Sequence, residues 1–265
     1  MGEALRRHWP EYLIEAAGLG LFMVSASAFA VLLFFPASPA ARALEGTWLR
    51  QGLMGLAMGA TAVALIYSPW GQRSGAHFNP AVTLTFFRLG KVDGRDAAFY
   101  VAAQFAGGAA GILLVGAAAG WLVGHPAVNY VATVPGAGGA GPAFAAEAAI
   151  SFGLMTVVLT VSNTARAARF TGLCAGVLVA ACIALEAPLS GMSMNPARTF
   201  ASALAAHLWT AFWVYLTAPP LGMLLAAELH TRLRRRPVRC AKLHHDNPRR
   251  CIFRCGWMPP AGAGG

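Results

Sequence analysis

Two asparagines, Asn79 and Asn195, stand in near copies of one stretch: Ser74-Gly75-Ala76-His77-Phe78-Asn79-Pro80-Ala81-Val82-Thr83 and Ser190-Gly191-Met192-Ser193-Met194-Asn195-Pro196-Ala197-Arg198-Thr199. Asn is a favoured helix N-cap, and Pro suits the first helical position because its missing N–H would be unpaired there anyway. Each copy therefore reads as a Gly-containing loop, a cap and a helix start. With the side-chain oxygen engaged in capping, each amide NH₂ remains as a fixed donor. Two such donors meeting at one point suit the oxygen of a passing water or alcohol, and the positive helix ends would repel a cation there.

The helices that follow are too short to cross a bilayer. About nine residues at 1.5 Å each reach roughly 13 Å, against a hydrocarbon core about 30 Å thick. Two of them meeting end to end would nearly span it. The remainder of the chain is built for that solvent: of 265 residues, 57% are hydrophobic and only 11% charged, which marks an integral membrane protein rather than a soluble domain. Charge-poor runs of spanning length fall at about 12–35, 48–69, 97–122, 143–163, 170–187 and 207–229. The first is too long for a simple signal peptide and is expected to be retained.

Lys and Arg cluster before the first run (Arg6, Arg7), between the second and third (Arg73, Arg88, Lys91, Arg95), between the fourth and fifth (Arg166, Arg169), and after the sixth. Only Arg42, Arg50 and Arg198 fall on the other side. The positive-inside rule then puts both termini in the cytoplasm, in the plasma (inner) membrane. The net charge of +10 is mostly this bias, so no nucleic-acid partner is implied.

Glu15 in the first span is matched by Glu147 in the fourth, and each Glu-bearing span is followed by another span and then by an Asn-Pro-Ala segment. The chain thus divides into halves of about 11–130 and 143–230, each with three spans and one half-helix, within a channel-like domain over 11–230. Three spans is an odd number, so the second half enters from the opposite side, making an inverted repeat. Gly55 and Gly59, Gly107 and Gly111, and Gly172 and Gly176 are spaced for close helix approach. Residues 1–10 form a cytoplasmic N-terminus, and the composition of 231–265 predicts a basic, disordered tail.

The five cysteines suggest no disulfide framework: Cys174 and Cys182 sit in an apolar span, and Cys240, Cys251 and Cys255 in a reducing compartment. Cys251 and Cys255 with His244 and His245 invite a metal reading, but their spacing fits no familiar zinc pattern. A lipid-headgroup-binding tail is the simpler expectation. No nucleophile with a base lies in the spans, nucleotide-binding motifs are absent, and neither an enzyme nor a cofactor is implied.

On these residues the chain resembles the aquaporin, or major intrinsic protein, superfamily. The two motifs, the paired Glu15 and Glu147, Gln104, His77 and Arg198 all match its pattern over about residues 10–230. The resemblance implies six transmembrane helices and two re-entrant half-helices in an all-α membrane protein, a homotetramer in the lipid bilayer, and water with small neutral solutes as permeants. It makes Arg198 the arginine of the selectivity constriction. Glu15, Glu147, His77 and Gln104 become braces for the loops. The other constriction positions fall on Ile183, Met192, and either Gly59 or Met58, so no second polar donor stands beside Arg198. That favours tolerance of glycerol, urea, ammonia or a neutral metalloid acid. Thr199, where glycerol facilitators carry Asp, favours water. A structural membrane protein with a closed pore is the reading from another class. Glu186 either lines the outer vestibule or braces a loop.

Overall fold

The computed structural model describes residues 2–234, 238–245 and 247–257. Its described residues form helices and no strands. Six helices are long and apolar enough to cross a membrane. They are α1 (Gly2–Phe34), α3 (Thr47–Tyr67), α6 (Gly94–Val123), α7 (Ala140–Ser162), α8 (Thr171–Leu185, with a preceding 3₁₀ turn) and α11 (Phe212–Arg234). Between them lie α2 (Pro39–Ala43), α4 (Pro69–Ser74), α5 (Pro80–Arg88), α9 (Ala187–Ser190) and α10 (Pro196–Ala206).

The packing repeats across the two halves. α1 lies against α6 as α7 lies against α11, while α3 and α8 join the halves at their centre. Each half-helix packs more on the other half than on its own: α5 chiefly on α11, and α10 chiefly on α6. This exchange is what an inverted repeat requires, because the half-helices enter from opposite sides. Small residues set the closest approaches. A Cβ built on Gly107 would lie 2.1 Å from the Ala16 carbonyl oxygen, and one on Gly59 would lie 2.5 Å from that of Gly176. Neither helix pair could approach as closely with a larger residue there.

The helix bounds shift from expectation where polar partners are buried. α1 starts well before residue 12, because His8 and Tyr12 both reach Asp96 on α6, at 2.8 and 2.6 Å, and Glu11 pairs with Arg73 at 3.0 Å. Exposed tryptophans ring both ends of the bundle. Trp9 and Trp70 mark the end carrying the N-terminus, and Trp48, Trp121, Trp209 and Trp213 the opposite end, as expected of side chains that sit at the headgroup level.

The described residues of the tail depart from the disorder that the composition of 231–265 predicts. Residues 238–245 and 247–257 fold against the bundle, with Val238, Cys240, Ala241, Lys242, Leu243 and Phe253 buried. Three backbone bonds tie it down: Arg239 N–H to Asn163 Oδ1 at 2.6 Å, Leu243 N–H to Gly75 O at 3.1 Å, and Arg254 N–H to Lys91 O at 2.9 Å. The tail lacks apolar surface for a core of its own, but it adds its few apolar side chains to one already present.

Candidate functional site

Each half-helix begins where a short helical turn is broken by a glycine in the left-handed region, Gly75 (φ 98°) after α4 and Gly191 (φ 77°) after α9. Ala76 and Phe78 follow at φ 56° and 46°, and Met192 and Met194 at 50° and 54°. Non-glycine residues held there cost on the order of 1–3 kcal/mol each and need surrounding bonds to hold them. The irregular backbone before each capping asparagine is thus four residues per loop, 75–78 and 191–194.

The asparagines cap as expected. Asn79 Oδ1 accepts from Ala81 N at 2.9 Å, and Asn195 Oδ1 from Ala197 N and Arg198 N at 3.1 and 3.2 Å. Their NH₂ groups do something the sequence does not reveal. Asn79 Nδ2 donates to Met194 O, and Asn195 Nδ2 to Phe78 O, both at 2.8 Å. Each amide thereby clamps the opposite loop with one N–H and keeps a second for a ligand.

The carboxylates hold the loops from behind. Glu15 accepts from Ser74 Oγ (2.7 Å) and His77 N (3.1 Å) on one oxygen, and from Phe78 N (2.6 Å) and Gln104 Nε2 (2.8 Å) on the other. Glu147 accepts from Ser190 Oγ (2.7 Å) and Ser193 N (2.6 Å) on one, and from Met194 N (2.7 Å) on the other. Irregular backbone at membrane depth must be satisfied within the protein, and these two side chains do most of it. Tyr100 and Tyr215 complete the matched sets by donating to Ser74 O and Ser190 O at 2.6 and 2.5 Å. Sequence reasoning passed over both tyrosines and both serines. The serines carry a legible signal, since each stands five residues before its asparagine.

Both loops open onto one elongated cavity of about 380 Å³. Leu65, Ile66 and Leu243 line it toward the N-terminal side, and Phe34 and Gln51 toward the other, with Asn79 and Asn195 between. Arg198, Met192, Ile183 and Met58 all contribute to its wall. Gly59 does not: it faces Gly176 across the α3–α8 seam, because one residue turns the helix by about 100°. Glu186 is buried and also lies outside the lining. Gln51, which the sequence did not single out, reaches the wall and donates to Ile183 O at 2.9 Å. Arg198 is the cavity's cation, and its Nη1 is buried without a hydrogen-bond partner among the described residues.

At the N-terminal end His77 joins the first loop to the tail. Its Nε2 donates to Ala241 O at 2.9 Å, leaving Nδ1 of a neutral ring to accept from Thr83 Oγ1 at 3.1 Å. Phe253 stacks on the same ring, centroids 5.3 Å apart and planes 9° from parallel. Beside it Lys242 is 2% exposed. Burial holds its ammonium below the usual lysine range, and its Nζ donates to Arg249 O at 3.1 Å.

A family model described as "Major intrinsic protein" matches residues 6–230. The chain belongs to the major intrinsic protein family. Its curated relatives include "Probable aquaporin AqpM" of Archaeoglobus fulgidus, 38% identical over 71% of this chain and 77% of that protein. "Aquaporin NIP6-1" of Arabidopsis thaliana is 36% identical over 76% of this chain but 65% of its own length. The tobacco relative "Probable aquaporin NIP-type" from Nicotiana alata is matched over 63% of its length, so the chain spans just under two thirds of these plant proteins. The fold has a solved counterpart in the aquaglyceroporin from Plasmodium falciparum, with a TM-score of 0.68 over 86% of this chain and 97% of that one, at 21% identity. As a family member the chain is an integral membrane protein with the paired half-helices at its centre.

Proposed function

We propose that the chain is a passive pore for water and small uncharged solutes. The observation that carries this reading is the wall of the cavity: the Arg198 guanidinium with its Nη1 buried without a partner among the described residues, two asparagine amides with an N–H each to spare, and a largely apolar remainder. A water oxygen can accept from these donors in turn. A cation meets Arg198 and two positive helix ends, and loses its hydration shell with nothing to replace it. Both termini face the cytoplasm of the plasma membrane, in keeping with the distribution of Lys and Arg. The assembly is a homotetramer, with each protomer carrying its own pore, and the chain performs no covalent chemistry.

A second reading within the same pore is wider tolerance, with glycerol, urea or ammonia passing as well. Met58, Ile183 and Met192 support it, because none supplies a polar donor opposite Arg198. Both readings are tested by osmotic shrinkage of proteoliposomes followed by light scattering. Acceleration with sucrose as osmolyte supports a water pore, and rapid re-swelling with glycerol supports the wider one. Shrinkage no faster than in empty vesicles would overturn both.

A further inference from the structure

The pore makes no use of the tail's cysteines, yet the fold gathers them. Cys240, His245, Cys251 and Cys255 each offer one ligand atom, and those atoms all lie within 4.8 Å of one another. Cys240 Sγ is 3.5 Å from Cys251 Sγ, and Cys255 Sγ is 2.9 Å from His245 Nε2. A disulfide needs about 2.05 Å. A tetrahedral zinc, with Zn–S near 2.3 Å and Zn–N near 2.0–2.1 Å, sets its ligand atoms roughly 3.5–3.8 Å apart. Cys251 and Cys255 fall within the usual ligand-pair spacing of two to four intervening residues. Cys240 lies eleven positions before Cys251, and it supplies the ligand that sequence spacing alone could not group with them.

The surroundings are those of a held site. Trp257 N–H donates to Cys255 Sγ at 3.4 Å, and His245 stacks on the Trp257 ring, which Arg239 covers from 4.5 Å. Such outer contacts orient the ligands of a metal. Three thiolates and a neutral imidazole around Zn²⁺ carry a net charge of −1. The ligands also bracket the parts of the tail that press on the pore. Between Cys240 and His245 lie Ala241, bonded to His77, and Leu243, bonded to Gly75 and lining the cavity. Between Cys251 and Cys255 lies Phe253, stacked on His77.

We propose that Cys240, His245, Cys251 and Cys255 bind one Zn²⁺, releasing the thiol protons, and that the bound ion fastens Leu243 across the cytoplasmic mouth so that metal loading lowers permeability. The second half rests on the pore reading above. A metal can shift the docked tail only by binding it better than the free tail, and here docking is what brings the four ligands together.

The full-length protein, purified in detergent under reducing conditions and stripped of metal, is titrated with Co²⁺. One equivalent should produce a thiolate-to-cobalt charge-transfer band with tetrahedral visible bands, displaced by Zn²⁺ and absent from the Cys251→Ser/Cys255→Ser double variant. No band, or a band that survives in the double variant, overturns the site. Zinc-loaded and stripped protein are then reconstituted and compared by osmotic shrinkage. Stripped wild type and the double variant should conduct several-fold faster than zinc-loaded wild type. Equal rates overturn the gating. If neither form, nor a Leu243→Ala variant, conducts at all, the pore reading and the gating fall together, while the cobalt result stands on its own.

Discussion

Glu147 is the residue whose replacement tests most directly how the second loop is held. It is fully buried and takes Ser190 Oγ and Ser193 N on one oxygen and Met194 N on the other. In Glu147→Gln the remaining oxygen is best placed on the first pair, which leaves the new NH₂ facing the Met194 N–H. One buried donor is stranded, at about 1–3 kcal/mol, and the two surviving bonds fall from charged to neutral strength, about 1 kcal/mol each. The sum, roughly 3–5 kcal/mol, is comparable with the strain stored at Met192 and Met194, about 2–6 kcal/mol together. The loop then relaxes in a sizeable share of molecules, since one or two kcal/mol shifts a population ratio about 5–30-fold. Glu147→Leu strands all three donors, at roughly 3–9 kcal/mol.

Osmotic permeability per reconstituted protomer and the thermal midpoint in detergent should both fall in the order wild type, Gln, Leu. The loop that relaxes carries Asn195 and leads into Arg198, so permeability should fall before the helical bundle melts. Two variants with wild-type permeability and midpoint would refute the idea that this carboxylate holds the loop.

Glu15→Gln is expected to lower the thermal midpoint as well, because either placement of the new NH₂ faces a backbone N–H, of His77 or of Phe78, that the carboxylate now accepts from; an unchanged midpoint would reject its bracing role. Arg198→Val removes the cavity's cation, and a pH gradient across proteoliposomes should collapse faster, while unchanged proton exclusion would reject its role. Gly59→Ala drives a methyl into the Gly176 carbonyl at 2.5 Å and should destabilise by about 1–3 kcal/mol. Met58→Ala, by contrast, should raise the ratio of glycerol to water permeability, which re-swelling assays measure.

The architecture was legible because each of its signals is local. Spanning length, charge asymmetry and an Asn-Pro cap can all be read within a few residues, and the doubling of Asn-Pro-Ala after two Glu-bearing spans was enough to suggest the inverted repeat. The choice between Gly59 and Met58 was not legible, because adjacent helix positions differ only in which way they face. What separates them is the Gly176 carbonyl on another helix. The donor role of the asparagine amides was half visible: capping follows from the motif, but the carbonyls they clamp, Phe78 and Met194, lie 117 and 115 residues away. The described part of the tail was not legible for the same reason, since the groups that hold it lie far away in the chain, His77 among them, 164 residues before Ala241.

The repeat also separates support from selection. Glu15 and Glu147, Ser74 and Ser190, and Tyr100 and Tyr215 make matching bonds to the two loops, so these positions support the backbone and discriminate nothing. Discrimination must come from where the copies differ. Three residues past each asparagine stand Val82 in one half and Arg198 in the other, and both line the cavity. A pore with two arginines would place two buried cations near its centre, each raising the cost of the other, while a pore with none would leave the helix ends alone to repel cations. One arginine on one side puts a single guanidinium in the cavity wall, which is where the proposed selection would act. Another asymmetry falls two residues before each asparagine. Ser193 closes its loop inward, hydrogen-bonding Thr199, which in turn bonds Thr133. His77 extends outward to the tail through Ala241 and Phe253. The half with arginine is thus closed off within the protein, and the half without it is the one that a tail carrying metal ligands can reach. The proposed selectivity and regulation would then act at opposite ends of the same pore, each at a position where the two copies differ.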